Sequence, residues 1–225
     1  MIETTDHPVR EREGSHAGRK VDIVTRAAWD LFLDQGFSAT SMDAIAKVAG
    51  VSKATLYAYF PSKEALFASL IVAECESLQD DLPVPKLSAG LSEALREFAK
   101  QYLTSFIHRK DVAFVRIIAN ESGRFPVLAR LFYESGPEAT TRRLSVFLDE
   151  ARAKKLLEFD DPVEAAKQFL SLVRGELPLR IVLGLSDITE QQIEQEIEAG
   201  LKFFLKATQA RPEMLLIAEP MSSPR

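Results

Sequence analysis

The strongest constraint on this chain is the pattern of residues 40–60, which predicts two short helices joined by a tight turn. Thr40 and Asp43 have the spacing of a capping box, which starts a helix over residues 42–48. Gly50 follows the last apolar position of that helix. Glycine accepts the left-handed backbone that ends a helix, so the turn is predicted there.

The second helix begins after Ser52, whose hydroxyl caps it, and ends near Tyr59. Pro61 sets this end because it lacks an amide hydrogen and forces the preceding residue out of helical conformation. About seven residues give a rod of roughly 10 Å, which fits a DNA major groove about 12 Å wide. Leu56 marks the buried side of the rod. The opposite side carries Lys53, Ala54, Tyr57 and Ala58, flanked by Thr55 and Tyr59.

The charge of the second helix favours contact with phosphate. No acidic residue lies between Val51 and Lys63, whereas a solvated helix normally carries glutamate on its exposed face. Lys53 and Lys63 open consecutive helices, where free amides and the helix dipole also attract anions. The pattern therefore predicts a helix-turn-helix unit whose second helix enters the major groove. Tyr57 and Tyr59 could instead be ordinary half-buried aromatic residues.

A family pattern runs through this region, carried by Gly36-Phe37, Thr40, Ile45-Ala46, Ala49-Gly50-Val51-Ser52, Leu56-Tyr57, Tyr59-Phe60 and Lys63-Glu64. These residues resemble the N-terminal domain of TetR-family transcriptional regulators, from Val21 to about Leu70. The resemblance implies a homodimer that binds a partly palindromic operator. It also implies DNA-facing positions at Lys53, Thr55, Tyr57, Tyr59 and Lys63, with Thr40 or Ser41. Together with the exposed side of the second helix, the candidate DNA contacts are Thr40, Ser41, Ser52, Lys53, Ala54, Thr55, Tyr57, Ala58, Tyr59 and Lys63. Ala54 departs from the pattern, since many family members have glycine there, and its methyl group could meet a thymine methyl.

The rest of the chain is helical in period, without a convincing alternating strand. The predicted fold is all-α, with an N-terminal three-helix helix-turn-helix domain joined to a larger C-terminal helical bundle that dimerises. The expected boundaries are a disordered arm at 1–18, the DNA-binding domain at 19–66, a ligand-binding and dimerisation domain at 67–209 and a loose tail at 210–225. A helix stop and restart is expected at Ser135-Gly136-Pro137.

Two helices near the C-terminus have more apolar surface than one face can hold. A helix from Pro162 is apolar on several sides, with a kink expected at Pro178, and the final helix opens at Thr189. The surplus predicts a four-helix interface between two copies, since symmetric pairing is common in small DNA readers. The alternative is that both faces are filled within one chain. The predicted interface residues are Phe169, Val173, Leu177, Ile181, Ile193, Ile197, Leu201 and Phe204.

A second pattern lies in the C-terminal half, at Arg116-Ile117-Ile118, Glu121, Arg124-Phe125-Pro126, Leu128, Phe132-Tyr133-Glu134, Gly136-Pro137, Phe169-Leu170 and Val173-Arg174-Gly175. It resembles the AefR-like C-terminal domain of certain TetR-type regulators, which supports the architecture and names no inducer. Bundle cores hold ligands between helices, so the candidate pocket residues are Tyr102, Phe106, His108, Phe114, Arg116, Phe125, Phe169 and Arg174. The alternative for each is plain core. Arg174 needs a partner, which could be Glu121, Glu176 or an anionic ligand.

Composition excludes several other classes. The net charge is −5, which argues against a general nucleic-acid coat protein. Residues 19–63 carry six bases and four acids, a balance of +2, so the remainder carries −7. The single Cys75 excludes an internal disulfide and fits a reducing cytoplasm, where a buried thiol is expected rather than a redox sensor. No Gly-rich phosphate loop, metal-ligand spacing or catalytic constellation is present, so the chain is not predicted to be an enzyme, and no cofactor or metal is expected.

The sequence therefore predicts a cytoplasmic, dimeric, ligand-responsive transcriptional regulator, in the form of a repressor. Its expected partners are double-stranded operator DNA, a second copy of itself and an unidentified small molecule, and no membrane. Two recognition helices about 34 Å apart would engage adjacent major grooves. An effector in the C-terminal bundle would favour a different separation, with the helix that starts at Lys63 as the lever. A helical protein–protein adaptor is the alternative, although it would not need the acid-free face.

Overall fold

The computed structural model describes residues 16–107, 109–185 and 188–208, and within these residues every regular element is a helix, as predicted. Two compact units divide between Leu70 and Ile71, within the helix that begins at Lys63. The sequence expectation placed the boundary slightly earlier, between residues 66 and 67. Most of the predicted arm at 1–18 and the whole predicted tail at 210–225 lie outside the described residues.

The first unit contains α1 (His16–Gln35), α2 (Met42–Val48), α3 (Lys53–Tyr59) and the start of α4 (Lys63–Asp81). Helix α1 begins within the predicted arm, and Arg19 and Lys20 lie in its first turns. Three buried rings form the centre of this unit. The ring of Phe32 on α1 lies 5.4 Å from that of Phe37 and 5.1 Å from that of Phe67, and the last two rings are 4.8 Å apart. This aromatic cluster is the core of the unit that contains α2 and α3.

The second unit contains the end of α4, a 3₁₀ turn (Leu87–Ala89), α5 (Leu91–Ile107), α6 (Arg109–Glu121), α7 (Pro126–Tyr133), a π-helical turn (Glu134–Glu138), α8 (Ala139–Ala153), α9 (Pro162–Arg174), α10 (Leu177–Val182) and α11 (Glu190–Ala207). Its core lies between α9 and α11, with α8 and α5 packed against them. The rings of Phe169 and Phe204 meet edge to face at 5.1 Å.

Gly200 allows α9 and α11 to cross at close range. A Cβ atom added at this position would lie 2.7 Å from the carbonyl carbon and oxygen of Leu172 and 2.8 Å from the backbone nitrogen of Val173. Real Cβ atoms do not approach backbone atoms this closely. The two helix backbones are therefore in direct contact, with no side chain between them at the crossing.

The stop and restart predicted at residues 135–137 is wrong, because the helix continues from α7 into α8 through the π-helical turn. Pro137 lies inside that turn and has no amide hydrogen to donate. The widened turn is tied by side chains, since the Thr140 hydroxyl donates to the carbonyl of Gly136 at 3.1 Å and the Gln79 amide of α4 donates to it at 3.3 Å. The π turn thus accommodates the proline and connects α8 to α4.

The end of α4 has a second tie to α8. Arg143 donates to the backbone carbonyls of Gln79 and Leu82, the latter at 2.6 Å. Carbonyls in the last turn of a helix have no partner within the helix, so a guanidinium fork placed there satisfies two of them. Residues Gln79 to Leu82 are thereby fastened to α8 independently of the π turn.

The predicted kink at Pro178 is also wrong, because the helix breaks completely before it. Gly175 has a φ of 49° and ends α9, and α10 then begins at Leu177 with Pro178 at a tolerated position in its first turn. Gly175, rather than Pro178, therefore causes the break between α9 and α10. Other boundaries agree with the sequence, since Asp161 caps α9 and Thr189 caps α11 in a capping box.

Among the described residues, no helix is both long enough and apolar enough to traverse a bilayer. In the same part of the chain, no cluster of three or more His, Cys, Asp or Glu side chains has the arrangement of a metal site.

Candidate nucleic-acid interface

Helix α2 begins at the predicted residue but with a different cap. Ser41 is the N-cap, with its hydroxyl accepting a hydrogen bond from the Ala44 amide at 3.1 Å. Thr40 is 2% exposed, and its hydroxyl lies 2.8 Å from the carbonyl of Gly36 and 3.2 Å from that of Leu31. The predicted capping box is therefore wrong, and Thr40 is withdrawn from the candidate DNA contacts. Its hydroxyl instead fixes the end of α1.

The turn between α2 and α3 has the predicted chemistry. Gly50 adopts a φ of 64°, and the following amide of Val51 donates to the carbonyl of Ala46 at 3.0 Å. Ser52 then caps α3, because its hydroxyl accepts a hydrogen bond from the Thr55 amide at 3.1 Å. A left-handed glycine followed two residues later by a serine cap turns the chain from α2 into α3 within very few residues.

Helix α3 exposes the side that the sequence predicted. Leu56 is fully buried, while Tyr57 on the next position is 49% exposed. The remaining candidates on this helix are exposed at Ser52, Lys53, Ala54 and Ala58 and partly buried at Thr55 and Tyr59. Tyr57 is therefore not a core residue, and its phenol is free to reach a ligand in solution. Tyr59 is partly buried, which agrees with a DNA contact and with a half-buried aromatic residue alike.

An ion pair joins the two helices on the solvent side. The Lys53 ammonium lies 2.6 Å from Oδ2 of Asp43, and the two side chains are 65% and 59% exposed. Asp43 was expected only to cap α2, so its role beside Lys53 was missed. The residues are ten apart in sequence and meet only because the turn brings the first turn of α3 next to that of α2. The signal for this ion pair in the sequence was the presence of two opposite charges on consecutive helices.

Lys63 occupies a different place from the one predicted. Its ammonium donates to the carbonyls of Phe37 at 2.7 Å, Thr40 at 2.8 Å and Ser38 at 3.3 Å. An ammonium group has three donors, and three backbone carbonyls receive them here. The phosphate contact expected of Lys63 is thus corrected to a structural role, in which the side chain holds the segment between α1 and α2.

The candidate effector residues that the structure describes are spread over α5, α6, the start of α7 and α9. Tyr102, Phe114 and Phe169 are buried in the core, and Phe125 is partly buried. His108 lies outside the described residues, as does the side chain of Phe106. Two surface depressions of the second unit lie elsewhere. One is lined by Pro83, Val84, Pro85, Lys86, Ala89, Glu93, Ala94 and Glu97, and the other by Gln191, Glu194, Gln195, Glu198, Ala199 and Lys202.

The two candidate arginines of the second unit have backbone partners. Arg116 donates to the carbonyls of Val182 at 3.0 Å and Ile181 at 2.8 Å, which closes the end of α10. Arg174 donates to the carbonyl of Leu170 at 3.1 Å and hydrogen-bonds the Tyr102 hydroxyl. Burial raises the pKa of Tyr102, and the charge and hydrogen bond of Arg174 oppose that rise. The Tyr102–Arg174 pair thus joins a buried tyrosine of the apolar core to a partly buried arginine at its edge.

Seven of the eight predicted interface residues are buried within one chain. All but Ile193 are buried in the isolated chain: Phe169, Val173, Leu177, Ile181, Ile197, Leu201 and Phe204. A side chain without exposed surface cannot also be covered by a second copy. These side chains are covered within one chain because α9 packs against both α8 and α11, so its apolar circumference has two neighbours there.

Comparison with known proteins agrees with this geometry. Residues 24–70 match the family described as bacterial regulatory proteins, tetR family, and residues 93–210 match the AefR-like transcriptional repressor, C-terminal domain. A solved structure of the flavonoid-responsive regulator FrrA is 87% identical, covers 86% of this chain and 99% of its own, and superposes with a TM-score of 0.80. A putative TetR-family regulator from Mesorhizobium loti MAFF303099 shares the fold at 22% identity, with a TM-score of 0.78 over 86% of this chain and 98% of its own.

A curated relative points the same way. The uncharacterized HTH-type transcriptional regulator YvkB of Bacillus subtilis (strain 168) is 26% identical over 184 residues, which are 82% of this chain and 94% of that protein. The buried-leucine, exposed-tyrosine helix of the first unit lies inside the matched N-terminal region. The chain belongs to the TetR family of bacterial transcriptional regulators, which bind DNA through a helix-turn-helix and are not enzymes, and it carries the AefR-like C-terminal domain of that family.

Proposed function

We propose that this chain is a homodimeric repressor that leaves a palindromic operator when a flavonoid binds its C-terminal unit. The observation that carries the DNA part is the solvent-exposed side of α3, which is free of acids and presents Lys53 and Tyr57 opposite a buried Leu56. The proposed DNA contacts are Ser41, Ser52, Lys53, Ala54, Thr55, Tyr57, Ala58 and Tyr59. Acting on the bacterial chromosome places the protein in the cytoplasm.

The proposed dimer uses residues that one chain leaves uncovered. Large apolar side chains remain exposed on α9, α10 and α11, at Val163, Leu179, Leu183 and Phe203. A contiguous apolar patch formed by these side chains would mark a contact surface. A dimer formed through them would carry two copies of α3, and the expected separation of the half-sites is about 34 Å. Operator symmetry then follows from protein symmetry.

The proposed effector class comes from the name of the FrrA relative, flavonoid-responsive, together with its 87% identity. The second unit offers chemistry that suits a flat polyphenol. Phe98 stacks on Tyr102 with ring centres 6.3 Å apart, Phe169 lies in the same core cluster, and the Tyr102 hydroxyl meets the Arg174 guanidinium. Aromatic rings pair with aromatic faces, and phenol groups find a donor and an acceptor in that polar pair.

The proposed response is a population shift. The aromatic core is closed in this structure, so an effector must favour an arrangement of the helices in which these rings are parted. A differential affinity of about 2–3 kcal/mol between the two arrangements would lower operator affinity about 30- to 150-fold. A decrease of this size in operator affinity is enough for the repressor to leave its operator.

The test uses the full-length protein and a duplex selected from a randomised DNA pool, with binding followed by fluorescence anisotropy. A two-fold symmetric selected site and a binding mass of two chains are the expected results. Flavonoids with differing hydroxyl patterns should lower the affinity, whereas single-ring phenols should not. A selected site without symmetry would refute the dimer model of recognition. Insensitivity to every flavonoid, with DNA binding intact, would refute the effector class alone.

A further inference from the structure

We propose that residues 213–219, near the C-terminus of the sequence, dock on Phe203 of α11 in the same chain and compete with a second copy for that surface. The docking goes beyond the proposed function. The competition rests on one part of it, namely the dimer contact through Phe203. A docked segment would limit dimer formation and, through it, operator binding.

Phe203 is the centre of an uncovered surface on α11. Its side chain is 63% exposed, although the neighbouring Phe204 is buried in the core. Lys202, Lys206 and Ala199 are exposed on the same side of the helix, at spacings of one, three and four residues from Phe203. Neither lysine forms an ion pair with another residue in the described part of the chain. The surface therefore presents an aromatic ring between two cations.

Residues 213–219, which lie outside the described residues, have the complementary composition. Glu213 and Glu219 enclose the apolar run Met-Leu-Leu-Ile-Ala, and a proline stands on either side of the segment. Segments that remain in water are usually poor in apolar residues, and an uninterrupted apolar run is unfavourable there unless it makes a contact. Apolar side chains between two carboxylates match an aromatic ring between two ammonium groups.

The chain is long enough to bring this segment to Phe203. The Thr208 amide donates to the carbonyl of Phe204 at 2.9 Å, so the described chain ends about one turn beyond Phe203. Phe203 then lies roughly 8 Å back along the helix axis. The chain from residue 208 to residue 214 spans up to about 20 Å, which allows it to reverse direction.

Attachment to α11 favours this segment over other occupants. A segment on a short tether has an effective concentration in roughly the millimolar range, so even a weak contact is populated. A second copy at micromolar concentration has no such advantage. Two copies can therefore pair through Phe203 only after each has released its own segment.

This competition should weaken the dimer by a defined factor. If about one third of the chains leave Phe203 free, the dissociation constant of the dimer rises about 9-fold, because both copies must be free at once. Leu216→Ser combined with Ile217→Ser should therefore lower that constant about 5- to 10-fold in sedimentation of the full-length protein. Met221→Ser is the matched control, since it makes the same kind of change outside the segment and should leave the constant unchanged.

Disulfide formation tests the docking independently of the dimer. Ala199→Cys combined with Ala218→Cys places one thiol one turn from Phe203 and the other in the segment. At nanomolar concentration, where two copies seldom meet, oxidation should join the two thiols within one chain. The rate should be about 5- to 10-fold higher than for Ala199→Cys with Ser223→Cys, because the longer tether alone changes the probability of contact only slightly.

Two further observations complete the test. Leu216→Ser with Ile217→Ser should slow the first cysteine pair to the rate of the second. The native Cys75 is buried, so it should stay out of both reactions. Equal rates for the two cysteine pairs overturn the docking, and disulfides that form only between chains show that the segment binds a second copy instead.

The sedimentation result decides the competition. An unchanged or weaker dimer in the double serine variant overturns it. If the wild type and the variant both keep the mass of one chain at every concentration, the proposed dimer is wrong and the competition falls with it. The cysteine pairs still decide the docking in that case, so the two failures are distinguishable.

Discussion

The Lys63 ammonium donates to the main-chain carbonyl of Phe37 at 2.7 Å and lies 4.4 Å from the centre of the same residue's ring. One cation thus binds both the backbone and the π face of a residue in the aromatic cluster of the first unit. Because Phe37 lies between α1 and α2, this contact connects the start of α4 to the segment that presents the helix-turn-helix. The position of a lysine at a helix start does not by itself make it a phosphate ligand.

The two lysines of the first unit should therefore respond differently to the same substitution. Lys63→Met leaves carbonyls without their donor and should lower the free energy of unfolding by about 1–3 kcal/mol. The salt slope of DNA binding by the folded fraction should stay unchanged. Lys53→Met removes an exposed ion pair and should change the stability by at most about 1 kcal/mol, while the salt slope becomes about 0.9 less steep. Urea titrations and anisotropy provide the two readouts. A stable Lys63→Met protein with a reduced slope would restore the phosphate role.

Tyr57 should contribute to DNA binding and not to folding. Tyr57→Ala is expected to weaken binding to the selected duplex by about 1–3 kcal/mol, because it removes a side chain from the exposed side of α3. Thermal unfolding should change little. The neighbouring Leu56→Ala supplies the contrast, since it empties a fully buried position and should cost about 2–5 kcal/mol of stability. Equal losses of stability in both variants would contradict the assignment.

The Cys75 thiol should be unreactive in the folded protein. Burial raises its pKa from 9.0 to about 12, with smaller contributions from Glu74 and Glu76. The thiolate is the reactive form, so alkylation by iodoacetamide should be slow in buffer and fast in urea. Since the folded pKa is the higher one, the stability linked to this thiol is full below about pH 9 and is lost as the pH rises toward 12. The urea midpoint should therefore fall more between about pH 8 and pH 10 than in Cys75→Ala. Rapid alkylation of the folded protein would contradict this burial.

Gly136 and Cys75 should show a coupled response. A Cβ added at Gly136 would lie 3.2 Å from the Cys75 sulfur, which is tighter than ordinary contact. Gly136→Ala should therefore destabilise the protein, despite the gain of about 1 kcal/mol that alanine gives in a helix. In a Cys75→Ala background the obstacle is absent, and the same change should stabilise it. Denaturant unfolding of the four proteins gives the coupling energy, and additivity would show that the sulfur is not the limiting neighbour.

Phe203 provides the test of the proposed dimer. It is 63% exposed on α11, so Phe203→Glu should leave the fold intact while it breaks an apolar contact between copies. Sedimentation should then show the mass of one chain at micromolar concentration. Ile197→Glu, at a fully buried position of the same helix, should instead prevent folding. A folded Phe203→Glu protein that keeps the mass of two chains would place the interface elsewhere.

The helix-turn-helix was predictable because its boundaries depend on local chemistry. Gly50, Ser52 and Pro61 each determine the backbone within one or two residues, and the observed bounds of α2 and α3 follow them. The exposed side of α3 was predictable for the same reason, since a helix this short with a single buried leucine has only one orientation.

Long-range placement was not predictable in this way. Thr40 and Lys63 carry polar groups at positions where DNA contact is plausible. Only the fold shows that these groups already donate hydrogen bonds to backbone carbonyls of residues 36–40. The burial of seven predicted interface residues within one chain was unpredictable for a related reason. A helix that is apolar all round has several neighbours, but its pattern does not reveal whether they belong to the same chain.

The crossing at Gly200 limits how this protein can vary. Any side chain at that position, even a methyl group, would push α11 away from the backbone of Leu172 and loosen the packing of Phe169 against Phe204. A mutation there would thus separate α9 from α11, so that a change of one atom would alter the packing of the whole helix pair. Random mutagenesis that scores loss of regulation should recover this glycine because of its place in the packing, although it has no side chain of its own.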